Sequence, residues 1–348
     1  IMAYTTIDDP TIYFNTVTYT GNGGSQSVTG VGFEPDLVWL KSRSLSQSHF
    51  WSDVIRGAGK VLISNNNDAE QNFSANFTAF SSDGYTLANG TNGFNASSAT
   101  YVSWNWKAGG SASSNSDGSI TSSVSANTTA GFSIVSYTGT GSAATIGHGL
   151  GVKPDAIIVK NREATENWMV YQKTLDASAP EDYYILLNGS AVRVNEATTW
   201  NDTAPTTSLF TVGSHDATNK SGVTYIAYCF AEKQGYSKFG SFVGNGNANG
   251  PFIYTGFKPA WVMIKANDSE NWIIFDNKRP GYNLTDALLK PNLSNTESTS
   301  GVKFDMLSNG FKVRVNDAEG NGNGNTNFYF AFAESPFVNS NGIPNNAR

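Results

Sequence analysis

The pattern Gly32-Phe33-Glu34-Pro35-Asp36-Leu37-Val38-Trp39-Leu40-Lys41 returns as Gly151-Val152-Lys153-Pro154-Asp155-Ala156-Ile157-Ile158-Val159-Lys160. It appears again as Gly256-Phe257-Lys258-Pro259-Ala260-Trp261-Val262-Met263-Ile264-Lys265. Each copy sets a Gly, a Pro three residues later, a mostly apolar run and a closing Lys. Proline fixes φ and has no N–H for a ladder, so it belongs just ahead of a strand. The run is apolar on both parities, Leu37 and Trp39 against Val38 and Leu40, which predicts a strand covered on both faces. Each copy is therefore expected to be the central strand of its own β unit. The prolines stand 119 and 105 residues apart, too far for a solenoid or propeller blade and suited to a small domain.

Neighbouring landmarks recur in the same order. Tyr19-Thr20-Gly21-Asn22-Gly23, Tyr137-Thr138-Gly139-Thr140-Gly141 and Phe242-Val243-Gly244-Asn245-Gly246 come first. A Trp-bearing segment follows the core run: Phe50-Trp51-Ser52-Asp53, Trp168-Met169-Val170-Tyr171 and Trp272-Ile273-Ile274-Phe275-Asp276. An aromatic strand closes each unit, starting at Tyr101, Tyr225 and Phe328. Asp83-Gly84 and Asn309-Gly310, between apolar stretches, are hairpin signals in the first and third units. The expected organisation is an N-terminal arm over 1–11, repeat unit one over 12–107 and a linker over 108–128, flexible over Ala108 to Asn115 and carrying a weak strand over Ser119 to Ala126, where Ile120 and Val124 share a face. Unit two follows over 129–234, unit three over 235–337 and an Asn-rich tail over 338–348.

The class is all-β, as three tandem β-sandwich-like repeat units, because no ten-residue window keeps helical apolar spacing free of Gly or Asn. Aromatics at 13 % can fill several cores. A net charge of −6 without a Lys/Arg cluster argues against nucleic acid as a partner. No apolar run is long enough to span a membrane as a helix, so membrane insertion is not expected. No basic-then-apolar leader is present, so manufacture in a cytoplasm is expected. The single cysteine, Cys229, sits in an apolar strand and reads as a buried free thiol.

Chemistry is sparse. His49, His148 and His215 fall at unmatched positions without metal-ligand spacing, and solvated loop positions are expected for them. Asp36 and Asp155 follow the repeated proline where unit three has Ala260, and Asp53 and Asp276 stand where unit two has Gln172. A paired-carboxylate glycosidase site remains open, but turn capping is the simpler role for these carboxylates. Lys41, Lys160 and Lys265 are the most regular charges, expected to pair across the sheet or to run past the core to water. The Gly/Asn runs 244–250 and 320–324 lack the acidic density of a Ca²⁺ loop. No catalytic, cofactor-binding or metal residue is assigned, and no cofactor is expected.

Met2-Ala3-Tyr4-Thr5-Thr6-Ile7-Asp8-Asp9-Pro10, the Tyr19 turn, the Gly32 to Lys41 run, Asp53-Val54-Ile55-Arg56-Gly57, Ser82-Asp83-Gly84-Tyr85 and Tyr101-Val102-Ser103-Trp104-Asn105-Trp106 together form a recognisable set. They resemble the repeat-containing, tail-fibre-like virion structural proteins of marine bacteriophages, notably cyanophages. The resemblance spans nearly the whole chain and is weakest in unit two, which lacks the Arg-Gly and the Asp-Gly hairpin. It implies a non-enzymatic structural protein located in the virion, serving host attachment or capsid decoration. The implied partners are other virion proteins of capsid or tail, with a host-surface polysaccharide and a homo-oligomer left open. The competing class is a carbohydrate-active enzyme or carbohydrate-binding adhesin built from β-sandwich units. Pro10 favours an extended arm, expected to dock on a neighbouring protein.

Overall fold

The computed structural model describes residues 3–280 and 282–345; Met2 of the opening motif, Gly281 of the Asp276 segment and the end of the tail lie outside the described residues. The protein is all-β, 42 % strand and 5 % helix, in several antiparallel sheets. Its helices are single turns such as Ala197–Trp200 and Asp216–Asn219.

Three main sheets share one strand order. In unit one the opening strand Phe14–Thr20 pairs with the closing strand Thr100–Trp106. The closing strand then pairs with the core strand Leu37–Ser42, and that with the Trp strand His49–Asp53. Unit two repeats this with Phe132–Thr138, Thr224–Phe230, Ala156–Asn161 and Met169–Gln172. Unit three does so with Ser237–Val243, Thr326–Pro336, Phe257–Ala266 and Trp272–Asp276. The core strand is interior and buried at every position in all three, as its two-sided apolar run predicts.

The two faces of that run have different destinations. Val38 and Leu40, Ile157 and Val159, and Val262 and Ile264 face outward into a separate cluster for each unit. Those clusters are roofed by smaller sheets: Gln26–Val28 with Gly84–Leu87 and Phe77–Ser81, Ala144–Gly147 with Leu209–Val212, and Phe252–Tyr254 with Gly310–Val313 and Phe304–Leu307. The alternate residues Trp39, Ile158 and Met263 face inward into one cluster shared by all three units. They pair across the sheet with Trp104, Tyr228 and Phe330, which confirms them as equivalent buried positions. Seven of the eight tryptophans, all but Trp200, lie in this common cluster. A buried indole removes roughly 200 Å² from water, so most of the driving force from tryptophan burial acts in the core the units share.

The expected hairpins at Asp83-Gly84 and Asn309-Gly310 are present, with Ser81 paired to Gly84 and Leu307 to Gly310. A Cβ on Gly84 or Gly310 would stand 2.0 Å from the Val28 or Ile253 carbonyl oxygen, so the close approach of the roof strands requires glycine there. Unit two, without the signal, has a two-stranded roof.

Two segments differ from expectation. The linker is ordered where flexibility is expected: Ser113–Asn115 pairs with Ser122–Asn127, the strand expected near Ser119 to Ala126, and both add to the edge of unit two's main sheet. Composition signals flexibility in isolation, but an existing sheet edge supplies ladder partners that a Ser-rich strand accepts. The N-terminal arm docks on its own chain. Thr5 Oγ1 donates to the Gln234 carbonyl at 2.7 Å, Tyr4 OH to the Gly256 carbonyl at 2.8 Å, and Ile7 enters the shared core. Ser340 of the tail donates to Asp8 through its backbone N–H at 2.6 Å and its hydroxyl at 2.5 Å.

Candidate functional site: the junctions between units

The repeated polar residues meet where one unit abuts the next. Lys41, Lys160 and Lys265 are fully buried. Each ammonium donates to its following residue's carbonyl, to a carbonyl three or four residues on, and to one carbonyl of another unit. Lys41 reaches Ser294 of unit three at 3.4 Å, Lys160 reaches Asn67 of unit one at 3.3 Å, and Lys265 reaches Ser190 of unit two at 3.0 Å. Taken in order, these contacts close a ring. Burial pushes each ammonium down, to about 7 for Lys41 and about 8 for Lys160 and Lys265. The accepting carbonyls oppose that by favouring the charged form. The lysines neither pair with carboxylates across the sheet nor reach open water; they staple neighbouring units.

Asp53 and Asp276 belong to the same junctions. The Asp53 carboxylate accepts from Arg56 Nε at 2.5 Å and from Tyr228 OH of unit two at 2.8 Å. Asp276 accepts from Arg279 Nε at 2.6 Å and from Trp104 Nε1 of unit one at 2.9 Å. Both ion pairs have fully buried side chains. The third junction lacks the set as a whole: Gln172 stands for Asp, Leu175 for Arg, and Phe330 for the Tyr or Trp donor. Gln172 Nε2 instead donates to the Gly240 carbonyl of unit three at 3.0 Å. An isolated buried charge is costly, so the group is present or absent together.

Glu70 and Glu297 complete two junctions, and nothing in their sequence neighbourhood singles them out. Glu70 accepts from Arg56 of its own unit and, in a fork, from Arg162 of unit two. Glu297 does the same with Arg279 and with Arg43 of unit one. Paired oxygens facing a guanidinium are the strong geometry for such contacts. At the third junction the Arg193 backbone N–H donates to Asn267.

A further repeated residue also went unread. Asn95, Asn219 and Asn321 are fully buried and each clasps its unit's opening turn, accepting from the N–H of Asn22, Thr140 or Asn245. Their amides donate back to Gly24, Ser142 and Asn247 carbonyls. The signal was available: each Asn stands six residues ahead of Tyr101, Tyr225 or Asn327, which occupy one register position. The Gly/Asn run 244–250 is thus held on Asn321, and its polar groups are engaged within the turn.

The remaining candidates are structural in place. His49 and His148 are buried, contrary to the expected solvated loops. His49 Nδ1 accepts from Trp39 Nε1 at 2.9 Å, and burial holds the ring's pKa well below the usual value. His148 Nδ1 accepts from the Leu150 N–H at 3.2 Å, and His215 caps a single helical turn. The Cys229 thiol is buried, as expected, and burial pushes its pKa up. Asp36 accepts from the Gly110 N–H, and burial lifts it to about 6; Asp155 accepts from the Glu232 N–H and pairs with Lys173. A hollow of about 530 Å³ in unit three is lined by Glu270, Asp317 and Glu319, with Lys290 paired to Glu319. Among the described residues no group of three His, Cys, Asp or Glu side chains is placed to hold a metal ion, and no helix is long and apolar enough to cross a membrane.

No curated protein matches the chain. A family model spanning residues 9–336, and so reaching into all three units, does match it. The chain belongs to the family described as Domain of unknown function (DUF7483).

Proposed function

We propose that the protein is a non-enzymatic structural component of a bacteriophage particle, acting as a rigid three-lobed block in capsid decoration or in a tail-fibre-like attachment assembly. The observation that carries this reading is the use made of the repeated polar groups. Lys41, Lys160 and Lys265, together with the Asp53–Arg56 and Asp276–Arg279 pairs, are buried and engaged in joining units. A group held in that way is fixed by its neighbours and turned away from any external substrate.

Two further features support it. Three lobes around one core give a block whose faces stay in fixed relation, which suits a part that must bridge neighbours in a particle. The fold relies on burial and internal ion pairs, with one cysteine in the sequence and hence no intrachain disulfide, so it can form in a reducing cytoplasm before assembly. The resemblance to marine phage virion proteins supplies the setting.

The test is particle composition. Purified, nuclease-treated particles of the phage encoding this chain should contain it at a stoichiometric copy number by quantitative mass spectrometry. A cryo-EM map should then place the three-lobed density on head or tail. Presence in infected cells but absence from particles would sink the reading.

A further inference from the structure

The 108–128 segment treats unit two in a way no described segment treats unit three. Beside unit two's roof it meets Ala144–Gly147 in parallel through a single Ile120–Ile146 bridge. The Ile120 N–H donates to the Thr145 carbonyl at 3.0 Å, and Ser122 Oγ donates to the Gly147 carbonyl at 2.9 Å. Gly118 allows the approach, since a Cβ there would lie 2.3 Å from the Thr145 oxygen. The same segment, as Ser122–Asn127, then covers the edge of the main sheet at Phe132–Thr138.

Unit three presents the equivalent roof edge uncovered, while its main-sheet edge is engaged at its start, where Ser237 bridges Lys233 and the Phe239 N–H donates to Glu232 at 2.8 Å. Ile253 pairs with Phe311 as Ile146 pairs with Phe210, so Phe252 and Tyr254 correspond to Thr145 and Gly147. Pro251 and Thr255 direct their backbone bonds inward, to Val313 and Asn309. By ladder alternation the N–H and C=O groups of Phe252 and Tyr254 point outward. Among the described residues no strand pairs with that outer side. The side chains beside it are large and exposed: Phe252 at 46 %, Tyr254, whose hydroxyl meets Tyr4 OH of the arm at 3.1 Å, at 49 %, and Val243, on the adjoining main-sheet edge, at 59 %. Unit one's matching residues, Ser27 and Thr29, are polar. Natural sheets blunt free edges with charge, proline or a cover, and an apolar open edge marks a pairing site.

We infer that the Phe252–Tyr254 edge of unit three is a docking site for an extended strand of a partner protein. The occupant is a Gly/Ser/Thr-rich segment with a β-branched apolar residue, paired in parallel as Ile120 of Gly118-Ser119-Ile120-Thr121 is on unit two. Main-chain bonds to Phe252 and Tyr254 supply the pairing, and their rings cover the incoming strand. Unit two, whose own edge is filled within the chain, supplies the template. The inference stands whether or not the chain is a particle component.

A fluorescein-labelled peptide with the sequence of residues 116–127 tests it on the full-length protein by anisotropy and by amide shifts in a ¹H–¹⁵N spectrum. Saturable binding with a Kd below about 1 mM, and shifts at the Phe252 and Tyr254 amides, are expected. Phe252→Pro removes an outward N–H and leaves the bonds to Gly310–Val313, so it should weaken binding roughly tenfold, as for one lost hydrogen bond. Ser27→Pro in unit one should leave binding unchanged. Should Phe252→Pro fail to fold, Phe252→Ser with Tyr254→Thr keeps the backbone and should weaken binding through the lost ring contacts. Absence of binding, binding indifferent to these changes, or the same amides shifting only with a soluble polysaccharide would each overturn strand docking.

Discussion

Tyr228 of unit two donates its hydroxyl to Asp53 of unit one at 2.8 Å, 175 residues away in the chain, and the same carboxylate holds Arg56. Trp104 repeats the contact on Asp276, where Arg279 is the partner. The third junction replaces all three members by Gln172, Leu175 and Phe330, so the protein contains its own neutral control.

Arg56→Leu alone strands the Asp53 carboxylate in a buried site and should cost about 3–5 kcal/mol. Combining it with Asp53→Gln and Tyr228→Phe recreates the third junction, and the triple variant should lose less than half as much. Urea unfolding followed by tryptophan fluorescence measures both; a triple variant less stable than the single would contradict the coupling.

Lys160→Met removes the donor shared by the Asn161, Ala164 and Asn67 carbonyls. Leaving buried acceptors unpaired should lower stability by about 1–3 kcal/mol. A midpoint equal to wild type would mean that water replaces the ammonium.

His49 should make the protein acid-labile. Its folded pKa lies well below the unfolded value of about 6.5. As pH falls through about 6.5 the unfolded chain takes up a proton that the folded chain refuses. Stability is therefore full above that pH and declines below it, by up to about 1.4 kcal/mol per pH unit. His148, whose pKa burial also lowers, adds in the same direction. His49→Phe should flatten the slope between about pH 5 and 6.5 without abolishing it; a slope identical to wild type would rule His49 out.

Ile7→Ala should cost about 2–4 kcal/mol, because the side chain fills the shared core and is only 3 % exposed. Chemical denaturation reads the loss directly. A change below about 0.5 kcal/mol would put the arm outside the cooperative structure.

The sequence carried the units and the interior strands because their signals are local. The proline, the two-sided apolar run and the Asp83-Gly84 turn each act within a few residues. It did not carry what the inward face meets. Trp39 reads as core whether that core belongs to one unit or to three. Glu70 and Glu297 look like solvated surface glutamates, since their partners Arg162 and Arg43 lie in other units. His49 escapes its local signal: a short polar stretch before a strand reads as a loop, whereas the ring is buried against Trp39 and Trp104. Ser113–Asn115 folds for a similar reason, with a ladder partner in Ser122–Asn127 that its composition does not reveal.

A shared tryptophan core requires the units to fold together. Differential scanning calorimetry of the full chain, with residues 108–234 expressed alone alongside, tests this most directly. One transition with matching calorimetric and van't Hoff enthalpies, and an unfolded isolated unit two, is the predicted result. Two or three resolved transitions, or an isolated unit two with native near-UV signal, would contradict it.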